Sequence, residues 1–384
     1  FNMILRKKNS GVTNEIRIRR CYGCGAVLQD KNPKMTGYIP TIKLKQEDEQ
    51  LCERCYKLRH YNEQDDQDPQ FNSDYESILK EAVKTQALIV YVLDIFSLEA
   101  SFIANIGPML GTNLLVILNK RDILPKSLSD DKIIADCKAR LKSENVFPTE
   151  ILITSSHKNY NIDSLLKTIE TMRKGKNVYF VGASQVGKSS LINNILKSYK
   201  NQTNKLITTS HFPGTTLDVI QIPLDKDSYM YDTPGIFKAD SLLNQIERQL
   251  LKYVVPRTEI RPGVYQSNSK QSYCLGAIAR IDFIDGPKTN FTFMLSNDVT
   301  ITRTKLEKAD HTFDSLALTK QIQPASLTIK SIKDLDKHDF VLPVGGDVEL
   351  LIVGLGYVTF KANGQKISVY VPHNVACKVM SIRW

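Results

Sequence analysis

A glycine-rich segment in the middle of the chain has the residue types and spacing of a phosphate-binding loop. Gly182 to Ser189 reads as glycine, four variable residues, glycine, lysine and serine, and it lies between an apolar strand and a predicted helix. The glycines let the backbone wrap phosphates closely with its N–H groups pointing inward. We expect Lys188 to reach the β- and γ-phosphates and Ser189 to hold Mg²⁺, with the helix dipole adding to the attraction. The residues expected to contact the nucleotide here are Gly182, Gln185, Val186, Gly187, Lys188, Ser189 and Ser190.

Two motifs downstream of this loop have the composition of nucleotide-sensing switches. Asp232-Thr-Pro-Gly235 follows a predicted strand, where the Asp232 carboxylate can hold Mg²⁺ through water and the Gly235 N–H can bond the γ-phosphate. Between the loop and that strand, Phe212-Pro-Gly-Thr-Thr216 offers two threonines, one of which can coordinate Mg²⁺; a plain Pro-Gly turn is the alternative. The predicted nucleotide contacts are Thr215, Thr216, Asp232 and Gly235, the catalytic set is Lys188, Thr216 and Gly235, and the magnesium ligands are Ser189, Thr216 and Asp232.

The residue that follows Gly235 is Ile236. Many GTP-hydrolysing enzymes place a glutamine at this position to orient the attacking water, and an isoleucine side chain cannot do so. We therefore expect slow intrinsic hydrolysis unless another group, a metal or a partner supplies that function.

A third set of polar residues has the chemistry to recognise guanine. In Asn119-Lys120-Arg-Asp122, the carboxylate can accept two hydrogen bonds, from N1–H and the exocyclic amine of guanine. Adenine has no donor at N1, so it would leave the carboxylate short of partners, which selects strongly against adenine. Ser155 and Ser156, just after another predicted strand, are expected to contact the base oxygen and to hold the first motif in place. An ATP-dependent kinase is the alternative function, and it would require the match at Asn119–Asp122 to be a coincidence.

The order of these motifs along the chain is permuted. Small GTPases ordinarily present the phosphate loop first, whereas here the base motifs at 119–122 and 154–156 precede it. A parallel α/β domain whose natural ends lie close together tolerates such a permutation. The segment after Gly235 then runs through a predicted helix, Asp240–Tyr253, into the C-terminal part of the chain, and we expect it to transmit the nucleotide state there.

Four of the seven cysteines form two Cys-x-x-Cys pairs near the N-terminus. Cys21, Cys24, Cys52 and Cys55 supply four thiolates for a tetrahedral ion, which favours structural zinc over a disulfide or redox pair. The surrounding residues are basic and include two tyrosines, which suits phosphate contacts to a nucleic acid; stabilisation of the fold alone is the alternative.

The net charge of +10 is concentrated at the two ends of the chain. Residues 1–60 carry 13 Lys and Arg against 6 Asp and Glu, residues 61–240 carry 20 against 22, and residues 241–384 carry 18 against 13. Basic flanks indicate a polyanionic partner, although ordinary solvated lysines would give the same count. The apolar runs are too short to span a bilayer and the start of the chain lacks a secretory core, so we expect a cytoplasmic chain without a membrane partner; a trimmed transit segment stays open.

The hydrophobic pattern predicts three domains that would position these residues. Residues 1–64 form the cysteine-rich domain, 65–256 the nucleotide domain and 257–384 a β-rich α+β domain. In the nucleotide domain, short all-apolar strands alternate with helices, which indicates a parallel sheet covered on both faces. The predicted strands are Ala87–Leu93, Leu114–Leu118, Glu150–Ile153 and Asn177–Val181, and the helices are Asp74–Thr85, Asp130–Ser143, Ile162–Arg173 and one from Lys188. In the C-terminal part the predicted strands include Leu275–Phe283, Asn290–Leu295, Val348–Val353 and Tyr357–Lys361.

Together these motifs resemble the YqeH family of circularly permuted GTPases, over nearly the whole chain. The stretch Arg303-Thr-Lys-Leu-Glu-Lys-Ala-Asp310 is also similar to that family. The resemblance implies an N-terminal four-cysteine zinc finger, a permuted P-loop GTPase domain that binds GTP or GDP with Mg²⁺, and a C-terminal domain that binds RNA or protein. It further implies a role in assembling the small (30S) ribosomal subunit, with rRNA or the subunit precursor as partner, in a bacterial cytoplasm or an organelle. We expect a monomer.

Two residues depart from the family pattern, and one alternative function stays open. Gln185 replaces an asparagine that helps bind activating K⁺ in related GTPases, so K⁺ is an open cofactor. Asp94 directly follows the predicted strand Ala87–Leu93, but the sequence after it differs from the family and gives it no assigned role. The alternative is an RNA-binding assembly scaffold in which the guanine nucleotide is structural and hydrolysis is incidental.

Overall fold

The base motifs and the phosphate loop all follow strands of one seven-stranded sheet. The computed structural model describes residues 21, 26–33, 35, 37–44, 51–53, 68–199, 208–211 and 218–383. The strands are β1 (Leu88–Asp94), β2 (Leu114–Asn119), β3 (Glu150–Ile153), β4 (Val178–Val181), β5 (Thr208–His211), β6 (Asp218–Pro223) and β7 (Tyr229–Asp232). Their order across the sheet is β3-β2-β1-β4-β7-β6-β5, and parallel pairing joins the first five. The polar residues at the carboxyl ends of these strands therefore meet at one edge.

The predicted parallel pairing is confirmed for β1 to β4. The sheet as a whole is mixed, because its last two strands run antiparallel to their neighbours. A tight turn joins β6 to β7, and in it Oδ1 of Asp225 accepts hydrogen bonds from the N–H groups of Asp227 and Ser228. A connection this short permits only antiparallel pairing, because parallel neighbours need a crossover of about a dozen residues or more.

Helices cover both faces of the sheet. Over the whole described part of the chain, the helices are α1 (Thr41–Leu44), α2 (Asp68–Lys84), α3 (Leu98–Ser101), α4 (Asp130–Ser143), α5 (Ile162–Arg173), α6 (Lys188–Tyr199), α7 (Leu251–Val254) and α8 (Ala309–Thr319). Successive residues of β1 face opposite layers: Tyr91 packs with α2 and α4, whereas Val90 packs with α5 and α6. Because both faces are covered, every residue of β1 and β2 is buried, which explains their continuous apolar sequence.

The C-terminal part forms two five-stranded antiparallel sheets, which we call the C-terminal sheets. Their strands are β8 (Gly263–Ser267), β9 (Gln271–Leu275), β10 (Ala279–Asp285), β11 (Thr289–Leu295), β12 (Ile301–Lys305), β13 (Asp336–Val341), β14 (Val344–Ile352), β15 (Gly356–Asn363), β16 (Lys366–Val371) and β17 (Cys377–Ser381). One sheet has the order β12-β9-β10-β16-β13 and the other β17-β14-β15-β11-β8. Aromatic rings from both sheets share one core; the rings of Phe291 and Phe360 lie 4.8 Å apart and those of Phe283 and Phe291 5.6 Å apart. The predicted β-rich character is confirmed.

Two predicted elements in this half of the chain are wrong in detail. The segment Leu275–Phe283 is two strands, because Gly276 has a φ of +55° and the chain turns back after Leu275. The predicted helix Asp240–Tyr253 is broken into two 3₁₀ turns and the single turn α7. Its backbone and side chains bond elsewhere instead: the N–H of Leu242 donates to the carbonyl of Val353.

Part of the cysteine-rich segment is described. Cys21 and Cys52 are buried together with three apolar residues, and the N–H of Cys52 donates to Sγ of Cys21 at 3.1 Å. The other two predicted zinc ligands, Cys24 and Cys55, lie outside the described residues. Within the described ranges, no cluster of three or more His, Cys, Asp or Glu side chains is arranged to hold a metal ion. No helix in that same part of the chain is both long and apolar enough to cross a membrane.

Candidate guanine-nucleotide site

The phosphate loop connects β4 to α6, in the middle of the sheet. Gly187 has a φ of +88°, and a Cβ atom there would lie 2.4 Å from Nδ2 of Asn119, so only glycine fits. Gln185 also has a positive φ, +70°, which is uncommon for a residue with a side chain. Ser189 lies half-buried in the first turn of α6, and the next residue, Ser190, is exposed. Gly187 therefore lies where the loop comes close to Asn119 of the base motif and where a side chain would not fit.

The segment after Asp232 lies directly against this loop. The N–H of Ile236 donates to the carbonyl of Gly182 at 3.1 Å, and the N–H of Ser184 donates to the carbonyl of Ile236 at 2.8 Å. A Cβ atom on Gly235 would lie 3.0 Å from Cα of Ser184. Any shift of the switch segment must therefore disturb the loop, and the reverse holds as well.

A buried lysine and a buried aspartate face each other between these two segments. Nζ of Lys188 lies 3.2 Å from Oδ1 of Asp232 and also donates to the carbonyl of Thr233. Lys188 is 5% exposed and Asp232 is 2% exposed. The predicted phosphate ligand and the predicted magnesium ligand are thus in contact.

A tyrosine that the sequence did not single out supports the loop from below. The hydroxyl of Tyr75, in α2, lies 3.0 Å from Oγ1 of Thr233 and accepts a hydrogen bond from the N–H of Gly182 at 3.4 Å. Complete burial raises the pKa of Tyr75 well above its ordinary value, so its hydroxyl stays protonated. The sequence predicted only that a helix, Asp74–Thr85, forms there, and nothing in it pointed to this contact.

The base motifs and the phosphate loop meet through Asn119. Its Nδ2 donates to the carbonyl of Val186 at 3.1 Å and to Oγ of Ser156 at 3.3 Å. Its Oδ1 accepts hydrogen bonds from Oγ1 of Thr154 at 3.3 Å and from the N–H of Ser156 at 3.2 Å. Asn119 is fully buried at the end of β2, so it ties three separate segments together.

The carboxylate expected to read guanine is held in place by its neighbours. Oδ1 of Asp122 accepts a hydrogen bond from Oγ of Ser155 at 2.6 Å. Its Oδ2 lies 3.4 Å from Nδ1 of His157, a residue that the sequence interpretation did not include. The position of His157, directly after the predicted pair Ser155 and Ser156, is the signal that would have found it.

Lys120, the second residue of the base motif, reaches a different strand. Its backbone is left-handed, with a φ of +71°, and its Nζ lies 2.5 Å from Oδ2 of Asp94 at the end of β1. Asp94 has no role in the sequence interpretation, yet it contacts the guanine motif directly. The remaining predicted contacts, Thr215 and Thr216, lie outside the described residues.

Comparison with known proteins identifies the family. The RsgA GTPase family model matches residues 85–242, and the model described as YqeH-like, C-terminal, matches residues 288–382. The chain is 35% identical over 356 residues to the uncharacterized protein YqeH of Bacillus subtilis, covering 92% of this chain and 96% of that protein. It is 29% identical over 317 residues to the NO-associated protein 1, chloroplastic/mitochondrial, of Arabidopsis thaliana, covering 71% of this chain but only 56% of the plant protein.

Two solved structures are also similar to the chain. The crystal structure of YjeQ from Thermotoga maritima shares 20% sequence identity at a TM-score of 0.26, covering 39% of this chain and 48% of that one. The structure of YlqF described as GDP-bound shares 16% identity at a TM-score of 0.27, covering 47% and 77%. The match to the Bacillus protein extends over nearly both full lengths, and the nucleotide motifs meet at one sheet edge. The chain belongs to the YqeH family of circularly permuted GTPases.

Proposed function

We propose that this GTPase is a switch that binds and hydrolyses GTP to time its association with rRNA or a precursor of the small ribosomal subunit. The observation that carries the switch is the contact of Asn119 with Val186, which joins the guanine motif to the phosphate loop. Guanine on Asp122 and phosphates on Lys188 then belong to one ligand. Two backbone hydrogen bonds join Ile236 to the phosphate loop. Through them, bound phosphates could move the segment that follows Gly235.

Magnesium fits the residues at the phosphate end of this site. Asp232 and Ser189 offer a carboxylate and a hydroxyl, the oxygen donors that Mg²⁺ prefers, and Lys188 already balances the carboxylate charge. We propose Ser189, Asp232 and Thr216 as the residues that hold it. A magnesium ion held there would supply positive charge to offset the charge that develops on the phosphates.

A structural zinc ion fits the two cysteine pairs. Cys21 and Cys52 belong to different pairs, 31 residues apart, and lie in contact, with Sγ accepting a backbone hydrogen bond. We propose that Cys24 and Cys55 complete the set. Metal analysis of the purified chain should give one zinc per chain, and Cys52→Ser should lose it; a chain with no bound zinc contradicts this proposal.

Slow hydrolysis with activation by a partner is part of the proposed mechanism. Ile236 cannot orient water, so we propose that a group from a partner completes the hydrolytic site.

The proposal of an assembly role rests on family membership and on the basic ends of the chain. Steady-state phosphate release should rise in the presence of small ribosomal subunits, and retention of the chain on those subunits should depend on the nucleotide. If small subunits produce neither effect while GTP still binds, the result favours the alternative of an RNA-binding scaffold with incidental hydrolysis.

A further inference from the structure

The turn after β1 lies between the guanine motif and the C-terminal sheets. We call Asp94 to Ser97 the Asp94 turn. Oδ1 of Asp94 accepts hydrogen bonds from the N–H groups of Phe96 at 3.0 Å and Ser97 at 3.2 Å, while Oδ2 contacts Nζ of Lys120. Asp94 is 5% exposed. One buried carboxylate therefore fixes both the shape of the turn and the position of the lysine.

The other side of the turn is held by an arginine close to the C-terminus. Nη1 of Arg383 donates to the carbonyl of Phe96 at 2.9 Å, and its Nε lies 2.8 Å from Glu349 in β14. The guanidinium lies 4.0 Å from the ring centre of Tyr357, which also packs against the ring of Phe96. Arg383 is 1% exposed and Glu349 is fully buried. These contacts leave Arg383 little freedom, so the Phe96 carbonyl is fixed to the C-terminal sheets.

The side chain of Lys120 lies beside the phosphate loop, where its displacement would alter the nucleotide site. Its Cε would be 3.8 Å from a Cβ atom placed on Gly187, so the side chain crosses the phosphate loop on its way to Asp94. Its neighbours in the chain, Asn119 and Arg121, belong to the same base motif. A change in the Asp94 turn would therefore release a side chain that borders both halves of the nucleotide site.

We propose that Arg383 is a positioning residue for the guanine nucleotide, acting through Phe96 and Asp94 on Lys120. The inference rests on the proposed function, in that guanine occupies the site at Asp122. Coupling between binding free energies is reciprocal. A macromolecule that shifts Arg383 on binding the C-terminal sheets would therefore change the affinity of the chain for the nucleotide, and the nucleotide would change the affinity of the chain for that macromolecule.

The same part of the chain contains a matched control. Arg280, in β10, is 2% exposed and lies 2.8 Å from Asp282 and 2.7 Å from Asp310. Its guanidinium lies 4.3 Å from the ring centre of Tyr370. Arg280 thus resembles Arg383 in burial, acidic partner and aromatic contact, but these partners belong to β10, β16 and α8, not to the Asp94 turn.

The test measures release of a fluorescent GDP from the full-length chain by stopped flow. Arg383→Met and Asp94→Asn should each accelerate release by about 5- to 20-fold, as expected for a coupling of this kind. The double variant should release GDP no faster than the faster single variant, because both changes break the same connection. Arg280→Met should stay within about 2-fold of the wild type while losing comparable thermal stability.

An unchanged release rate in Arg383→Met overturns the inference, and so does equal acceleration by Arg280→Met and Arg383→Met. It is also overturned if the fold-changes of Arg383→Met and Asp94→Asn multiply in the double variant. If Arg383→Met does not fold, Arg383→Lys keeps a charge beside Glu349 but cannot also reach Phe96; it should still accelerate release, and an unchanged rate contradicts the inference. A wild-type chain that does not bind GDP would instead overturn the proposed function.

Discussion

Nζ of Lys188 lies 3.2 Å from Oδ1 of Asp232, and both side chains are buried. A buried ion pair with one member removed leaves an uncompensated charge, which costs about 3–5 kcal/mol. Lys188→Met should therefore lower the free energy of unfolding of the nucleotide-free chain by about that amount, measured by denaturant unfolding. Lys188→Met combined with Asp232→Asn removes both charges and should recover most of the loss. A double variant that is no more stable than Lys188→Met contradicts this interpretation of the pair.

Three tyrosines should make the chain less stable in alkali. Burial raises the pKa of Tyr75, Tyr91 and Tyr179 above the ordinary value near 10. The folded chain keeps these protons at a pH where the unfolded chain has lost them. Their contribution is therefore fully present below about pH 10 and is lost as pH rises further, by about 1.4 kcal/mol per pH unit for each tyrosine.

Tyr75→Phe tests this pH dependence together with the role of its hydroxyl. The variant should lose about 1–3 kcal/mol of stability at pH 7, because Thr233 and Gly182 lose a partner, and its alkaline slope should be shallower by one proton. The measurement is urea unfolding at a series of pH values from 7 to about 11. An unchanged slope above pH 10 would show that Tyr75 titrates as it does in the unfolded chain.

Gly235→Ala should distinguish GTP from GDP. The new methyl group would lie 3.0 Å from Cα and 3.2 Å from N of Ser184, so the switch segment must move away from the loop. If the Gly235 N–H bonds the γ-phosphate, GTP affinity should fall about 10-fold or more, and GDP affinity should change by about 2-fold. Fluorescent-nucleotide titrations measure both. Gly263→Ala is the control, since its nearest neighbour is 3.5 Å away; equal losses for GTP and GDP would contradict a γ-phosphate contact.

The sequence predicted the elements whose burial follows from local pattern. Asp130–Ser143, Ile162–Arg173 and Glu150–Ile153 form helices and a strand with the predicted bounds. The apolar residues of each element recur with the period of its own type of secondary structure. The predicted helix Asp240–Tyr253 failed because long-range partners outweigh its local preference. Oε1 of Glu247, within it, accepts hydrogen bonds from four groups of residues 326–328, at 2.6 to 3.4 Å.

The candidate site was predictable where the chemistry lies in contiguous motifs. The structure brings Asn119, Asp122, Ser155 and Lys188 to one edge of the sheet, as strand-end motifs of a parallel sheet require. Tyr75 and Asp94 were not assigned a role, because each acts through contacts with residues that are distant in the sequence, Thr233 and Lys120. Such a contact depends on which strands and helices become neighbours, and spacing along the chain does not encode it.

We propose that the carboxylate of Asp122 recognises guanine in the pocket that the phosphate loop completes. Asp122→Asn exchanges one acceptor for an amide donor, which no longer matches the 2-amino group of guanine but matches the 2-oxo group of xanthine. The decisive measurement is competitive binding of GTP and xanthosine triphosphate to both chains. We predict that GTP affinity falls by about 10²-fold or more and that the variant prefers xanthosine triphosphate. A variant that binds GTP as tightly as the wild type would contradict recognition of guanine by Asp122.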